Sequence, residues 1–333
     1  MNPPANSSLL LPHLGVIAVR GTDARKFLNG QLSQDVLGLT PDRVELAGLH
    51  NPQGRTIAIV RLVPFGPSDV LLVLPRDLIA DTVAGLRKYL LRAKATIVDE
   101  SSNWRIEGLT DDTTLPAPMG SARIESDRLM WRHAGDGRVI RLTPQTPRDS
   151  DSVDETIGSG DRARLQDWHL ADIVAGLPEL TSETRGEFVA QMLNLDALGG
   201  ISFTKGCYTG QEVIARAHYR GRVKRRVQRF RLDSSMPTRT PLQPGMKVQL
   251  TAEGWTRAAQ IVKVAEHEGV VEFLAVTGFG GAASETAEPG ATGPGPTGLG
   301  TTESGTIDSG AAAASTTTAI KAQSQPMSYA LPE

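Results

Sequence analysis

From Gly278 to about Thr317 the chain is built of Gly, Ala, Ser, Thr and Pro, with few large apolar side chains. Such a stretch cannot bury enough surface to offset the entropy of ordering it, so disorder is expected there. Any packed fold is therefore made by the residues before it, with 318–333, where Ile320, Met327, Tyr329 and Leu331 return, as the remaining contributor. Just upstream lie four short strand-like runs, "VQRFRL", "KVQLTA", "AAQIVKVA" and "VVEFLAV", parted by turn signals such as "LQPG" and "TAEG". Strands at this spacing suggest a small antiparallel barrel or sandwich. The expectation is a β-barrel over 223–277, a low-complexity insertion at 278–317, and a segment 318–333 returning to the barrel with Thr318–Gln325 as a last strand.

The first 222 residues read as a separate, mixed body. "LGVIAVRG" (14–21), "RVELAGLHN" (43–51), "RTIAIVRLV" (55–63) and "DVLLVLP" (69–75) are strand-like, with "NPQGR" a turn between the second and third. Helical spacing of apolar residues marks 22–35, 76–93 and 162–176, the last ending at Gly176 before a proline. Two to four further strands are expected up to about 142, and 143–161 reads as a flexible polar connection. The fold class is α+β.

Composition closes several routes. One cysteine, Cys207, cannot form an internal disulfide or supply a cysteine-based zinc site. The six histidines show no metal-binding spacing, so no stably bound metal is expected. There is no P-loop, dinucleotide glycine fingerprint or zinc-protease helix motif. A net charge of −2 gives no overall field that selects nucleic acid or membrane, so any basic surface is local. The opening "MNPPANSSLLLPHLG" lacks a basic n-region, and no run approaches the roughly 18 apolar residues of a membrane span. A cytoplasmic protein with no membrane partner is expected.

The lone thiol sits in "KGCYTGQEVIARAH". Thr209 and Glu212 fit a capping box opening a helix, which would place Cys207 just before a helix N-terminus. Amides there favour a thiolate. Lys205 lies two residues back, and a run from Arg216 to Arg229 holds seven basic residues, Arg216 and Arg220 among them, and no acidic one. Against the reactive reading stands a plain one, since free cysteine often packs as a small hydrophobe. For the basic run the alternatives are a solvated face with ion pairs and a binding patch, the latter favoured slightly by the interleaved His218 and Tyr219.

The stretch Lys205-Gly206-Cys207-Tyr208-Thr209-Gly210-Gln211-Glu212, with "NLDALGGISF" before it and "ARAHYRGRVKRR" after it, resembles the YgfZ-type folate-binding proteins, relatives of the glycine-cleavage T-protein, an aminomethyltransferase. The resemblance covers about 1–278, including "GTDARKFLNGQLSQDV" and "NPQGR", and touches "PMSYALPE". It implies a T-protein-like body around a central folate hole, a C-terminal barrel, and a reduced folate, tetrahydrofolate, as ligand. It also implies support of iron–sulfur proteins, among them tRNA-modifying enzymes, as partners. Carried over by position, Cys207 is the signature thiol. Trp168 matches a folate-associated tryptophan, and Lys205, Gly206, Tyr208, Gly210, Gln211 and Glu212 fall in the motif. Arg216 and Arg220 are offered to the folate carboxylates by paired hydrogen bonds. Two departures matter. Leu14 stands where the family has a second tryptophan, and Ile59 where the T-protein has its catalytic aspartate. An alkyl group cannot relay a proton, which speaks against a folate-dependent one-carbon transferase. Direct tRNA binding by 216–229 is a further alternative.

Overall fold

The apolar runs of the first half pair into two antiparallel sheets. The computed structural model describes residues 8–110, 115–116, 118–125, 128–146, 158–221, 223–233, 241–278 and 318–332. Of the expected disorder at 278–317, residues 279–317 lie outside the described residues, as do 147–157 of the flexible connection and Arg222. The ends of both stretches are ordered instead: Gly278 closes the strand Val270–Gly278, 143–144 close the strand Val139–Pro144, and the helix Ser159–Val174 begins within the connection.

The first sheet has the order β3 (Glu45–His50), β4 (Thr56–Phe65), β5 (Asp69–Pro75), β2 (Leu14–Arg20), β6 (Thr96–Asp99). The second has the order β1 (Ser8–Leu10), β7 (Trp104–Leu109), β10 (Val139–Pro144), β9 (Leu129–Arg132), β8 (Ala122–Ile124). Among the described residues five strands thus lie between the second helix and residue 146, one more than the upper expectation; β8 and β9, of three and four residues, are too short for a periodic signal. The helices are α1 (Ala24–Asn29), α2 (Ile79–Arg87), α3 (Ser159–Val174) and α4 (Gln211–Tyr219). The helix expected over 22–35 stops at Asn29. Beyond it Leu32 bridges Leu49, and the Ser33 hydroxyl donates to Gly200 O at 2.6 Å while accepting from Gly48 N. Tertiary hydrogen bonds thus displace helical ones. Similarly, 76–93 forms a 3-10 turn (Arg76–Leu78) followed by α2 alone.

β11 (Arg225–Leu232), β14 (Val270–Gly278), β13 (Trp255–His267), β12 (Lys247–Ala252) and β15 (Thr318–Gln325) form a closed barrel in that order. The sequence reading of an antiparallel barrel needs one correction, because β12 and β15 run parallel. The reason is arithmetic: directions cannot alternate around a closed ring of five strands. The parallel pair falls where the chain has a long connection, as parallel neighbours require.

Period-two patterning fastens barrel to body. On β14, Phe273 and Ala275 join the barrel interior, whereas Leu274 and Val276 belong to the main core shared with the first sheet. Both faces are covered, so "FLAV" is apolar without interruption. β13 adds a bulge at 261–263. It leaves both Val262 and Lys263 on the body side, with Val262 in the main core and Lys263 reaching Asp172.

Candidate functional site

A cavity of ≈ 50 Å³ lies where the two sheets, α3 and the barrel meet. Its apolar wall includes Leu14 of β2, Ile59 of β4, Val73 of β5 and Ile140 of β10. Its polar lining is His13 from the β1–β2 turn, Arg61 of β4, His133 after β9, Asp172 of α3, Glu179 after α3, and Lys263 of β13. Leu14 and Ile59, the two positions where the resemblance departs from its family, both face this space.

Asp172 is the hub. Its Oδ1 accepts from Arg138 Nη1 at 2.7 Å and His133 Nε2 at 3.0 Å, and its Oδ2 from Lys263 Nζ at 2.7 Å. Burial would raise the carboxyl, but Lys263 and the other partners outweigh it and hold Asp172 well below the usual carboxylate range. Burial would likewise raise Glu179, yet Lys263, 3.5 Å from its Oε1, keeps it low. Lys263 is raised, its two carboxylates prevailing over burial. Burial pushes His133 down to about 4 although Asp172 pulls the other way. A neutral His133 donates through Nε2, leaving its buried Nδ1 lone pair without a partner among the described residues. Burial also lowers Arg61 to about 10. No hydrogen bond or ion pair to Arg61 is found among the described residues.

Trp168 lines the cavity and is 4% exposed. Its ring stacks on His133 (centroids 5.4 Å, planes 23° apart) with the Arg138 guanidinium 4.6 Å from its centroid. The close approach of β7 needs a glycine: a Cβ on Gly108 would lie 2.5 Å from Trp168 Cζ3.

The signature motif lies elsewhere. None of Lys205, Gly206, Cys207, Tyr208, Gly210, Gln211, Glu212, Arg216 and Arg220 is among the residues lining this cavity. Cys207 and Gly206 are exposed in the loop before α4. The capping box does not form. Gly210, at φ 80°, is the N-cap, and no side chain caps the helix. Gly210 is held by close packing, since a Cβ there would meet Asn51 O at 2.6 Å. In the same way a Cβ on Gly54 would meet Val213 at 2.7 Å. The two quoted signatures, "NPQGR" and "KGCYTGQE", therefore pack on one another. Lys205 turns to the body, its Nζ donating to Asn29 O and, at 2.8 Å, to Leu32 O; burial lowers it to about 8. Its ammonium lies 5.0 Å from the Tyr208 ring centroid, and burial raises the Tyr208 hydroxyl to about 12. Gln211 Oε1 accepts from Tyr208 N at 3.3 Å, and Glu212 accepts from Arg216 at 2.8 Å across an exposed helical turn.

The basic run divides. Arg226 is buried in a two-armed pair with Asp196, both contacts 2.8 Å, and Arg229 pairs with Glu272. Arg216, Arg220, Lys224 and Arg225 stay exposed. Beside them His218 stacks on Phe203 (3.7 Å, 14°), and Tyr219 is 68% exposed.

The cavity's charged residues escaped the sequence reading, though a signal existed. Arg61 in "IAIVRLV", Asp172 in "LADIV" and Lys263 in "QIVKVA" each interrupt an apolar run of a buried element. A charge in such a place is buried, and a buried charge needs a partner.

The fold is that of the aminomethyltransferases of glycine cleavage. Aminomethyltransferase T of the glycine cleavage system from Bartonella henselae matches 81% of this chain and 78% of its own, with a TM-score of 0.57 at 14% identity. In sequence, tRNA-modifying protein YgfZ of Vibrio vulnificus is 30% identical over 258 residues, 75% of this chain and 77% of its own length. Its counterpart from Escherichia fergusonii is 29% identical over 281 residues, 80% and 84%. The chain belongs to the YgfZ family of tRNA-modifying proteins. No protein-family model matches it. Among the described residues no helix is long and apolar enough to cross a membrane.

Proposed function

We propose that this chain is a folate-binding accessory protein that supports tRNA modification by maintaining iron–sulfur enzymes. The observation carrying the folate reading is the central cavity: an apolar slot with Trp168 in its wall and fixed polar groups at defined points. A reduced pterin offers a flat face, amide-like donors and a carbonyl. The Trp168 side of the slot suits the flat ring system, and Arg61 suits the carbonyl or an anionic tail. The present volume equals about three to five water sites, so admission of a two-ring ligand requires lining side chains to move. Ile59 offers no proton relay, which argues for binding without aminomethyl turnover. Cys207, exposed in its loop, is the group available to a client protein. A cluster normally takes about four protein ligands, so such a contact is shared with the client and transient.

Calorimetry with tetrahydrofolate tests the first part. Saturable binding to the wild-type chain, weakened at least tenfold in Trp168→Ala and Arg61→Met proteins of unchanged circular dichroism, is expected; no wild-type binding refutes it. Complementation tests the second part. Full rescue of iron–sulfur tRNA-modifying activity by Cys207→Ser in a null strain removes the thiol from the mechanism.

A second reading has its own observation, the Phe203–His218–Tyr219 aromatic group flanked by exposed Arg216, Arg220, Lys224 and Arg225. Stacking side chains among cations suit single-stranded RNA. Affinity for tRNA that falls steeply with salt and drops in Arg220→Glu/Arg225→Glu is expected if this face binds it; a flat salt response refutes it.

A further inference from the structure

The fold brings His13, His169 and Glu179 together, and we infer that these three side chains bind a divalent transition-metal ion at the cavity wall. One ligand atom from each lies within 4.8 Å of the other two. They come from separate places: the β1–β2 turn, α3, and the loop after α3. His13 and His169 are 156 residues apart, so no motif spacing announces them.

Four observations point to a cation. The imidazoles meet edge to face with centroids 4.6 Å apart, an arrangement that places ring nitrogens close together. Nδ1 of His13 and Nδ1 of His169 are both buried without a hydrogen-bond partner among the described residues. Native interiors rarely leave such atoms unpaired, and a metal ion satisfies a lone pair as a donor would. Two imidazoles and a carboxylate form a donor set used by zinc sites that keep an open position. Finally, His13 and Glu179 line the cavity, so the open position faces it.

The nearby charges permit this. Lys263 opposes a cation, but its ammonium is tied to Asp172 at 2.7 Å and stands 3.5 Å from one oxygen of Glu179, leaving the other for the ion. Arg138 is likewise matched by Asp136 and Asp172. Bonds of about 2.0–2.2 Å require the donor atoms to close to about 3.4 Å of one another, a movement within reach of the Glu179 side chain on its loop.

The test uses the full chain without a histidine tag, in a Cys207→Ser background so that the thiol cannot bind metal. Zn2+ is titrated by calorimetry and Co2+ by visible absorption. One equivalent is expected to bind, with d–d bands of nitrogen and oxygen ligation. Binding weakens at least tenfold in His169→Ala and in Glu179→Gln. Circular dichroism without metal accompanies each variant; Glu179→Gln, nearly isosteric, serves if His169→Ala does not fold. Failure to bind one equivalent, or binding unchanged in a folded variant, overturns the site. So does binding present in the wild type but lost in Cys207→Ser, which assigns the metal to the thiol. Folate affinity is not part of the readout, so this inference stands or falls apart from the proposed function.

Discussion

Asp172 ties three parts of the molecule together, and its removal has a calculable outcome. In Asp172→Leu the Lys263 ammonium, in a residue 6% exposed, keeps only the 3.5 Å contact to Glu179. Arg138 retains Asp136 at 2.8 Å and the carbonyl of Trp168, so Lys263, left with a single longer contact, is the less compensated of the two. Breaking a buried pair in this way costs about 3–5 kcal/mol. At about 2–4 °C per kcal/mol for a chain of this order, Tm falls by roughly 6–20 °C. Lys263→Met is milder, about 1–3 kcal/mol, because Asp172 still accepts from Arg138 and His133. In the double variant neither charge is stranded. Its loss is expected to be smaller than the sum of the single losses by about 2–3 kcal/mol. Urea denaturation measures all four proteins, since guanidinium would screen the pair. Additive losses, or a cost below about 1 kcal/mol for Asp172→Leu, would show that the three elements do not depend on this carboxylate.

Acid should destabilise the protein through its buried neutral histidines. His50 and His133 are lowered to about 3 and about 4, so the unfolded chain binds protons that the folded one refuses; stability is complete above pH 6.5 and declines as pH falls towards those values. Urea midpoints should drop between pH 7 and 5, with a shallower slope in His50→Gln; a flat profile contradicts this. Gly210→Ala combines a left-handed backbone (φ 80°) with a contact 2.6 Å from Asn51 O, and should cost about 2 kcal/mol or more by urea denaturation. Arg226→Met strands Asp196 in the interior, 7% exposed at its side chain, and should cost about 3–5 kcal/mol; a loss under 1 kcal/mol means that pair is dispensable.

What the sequence disclosed followed from periodicity and from one long motif. β2 to β5 of the first sheet and β11 to β14 of the barrel were legible because apolar residues recur at strand spacing in runs of six or more. β6, β8 and β9 were not, because three- and four-residue strands carry no period. The capping box failed because "TGQE" satisfies the pattern while Gly210, not Thr209, takes the cap. For the site, Trp168 was reached through resemblance, and it lines the cavity. The residues around it were not reached. Their association depends on a strand bulge that turns Lys263 inward and on a turn that carries His13 to α3, neither of which has a local signature.

The barrel's fifth strand has a consequence for biogenesis. β15 pairs with β12 and β11 across a long separation; Thr318 lies opposite Val248. Until Gln325 has emerged from the ribosome, β11 and β12 present bare edges, and unpaired edges recruit other chains. Beyond that strand Tyr329 donates to Gly176 O at 2.8 Å and accepts from Asn194 at 3.1 Å, tacking the end of the described chain to the body. A nascent polypeptide halted anywhere in 279–317 would thus hold every residue that lines the cavity and still expose an adhesive rim, making it a client for chaperones rather than a shortened working protein.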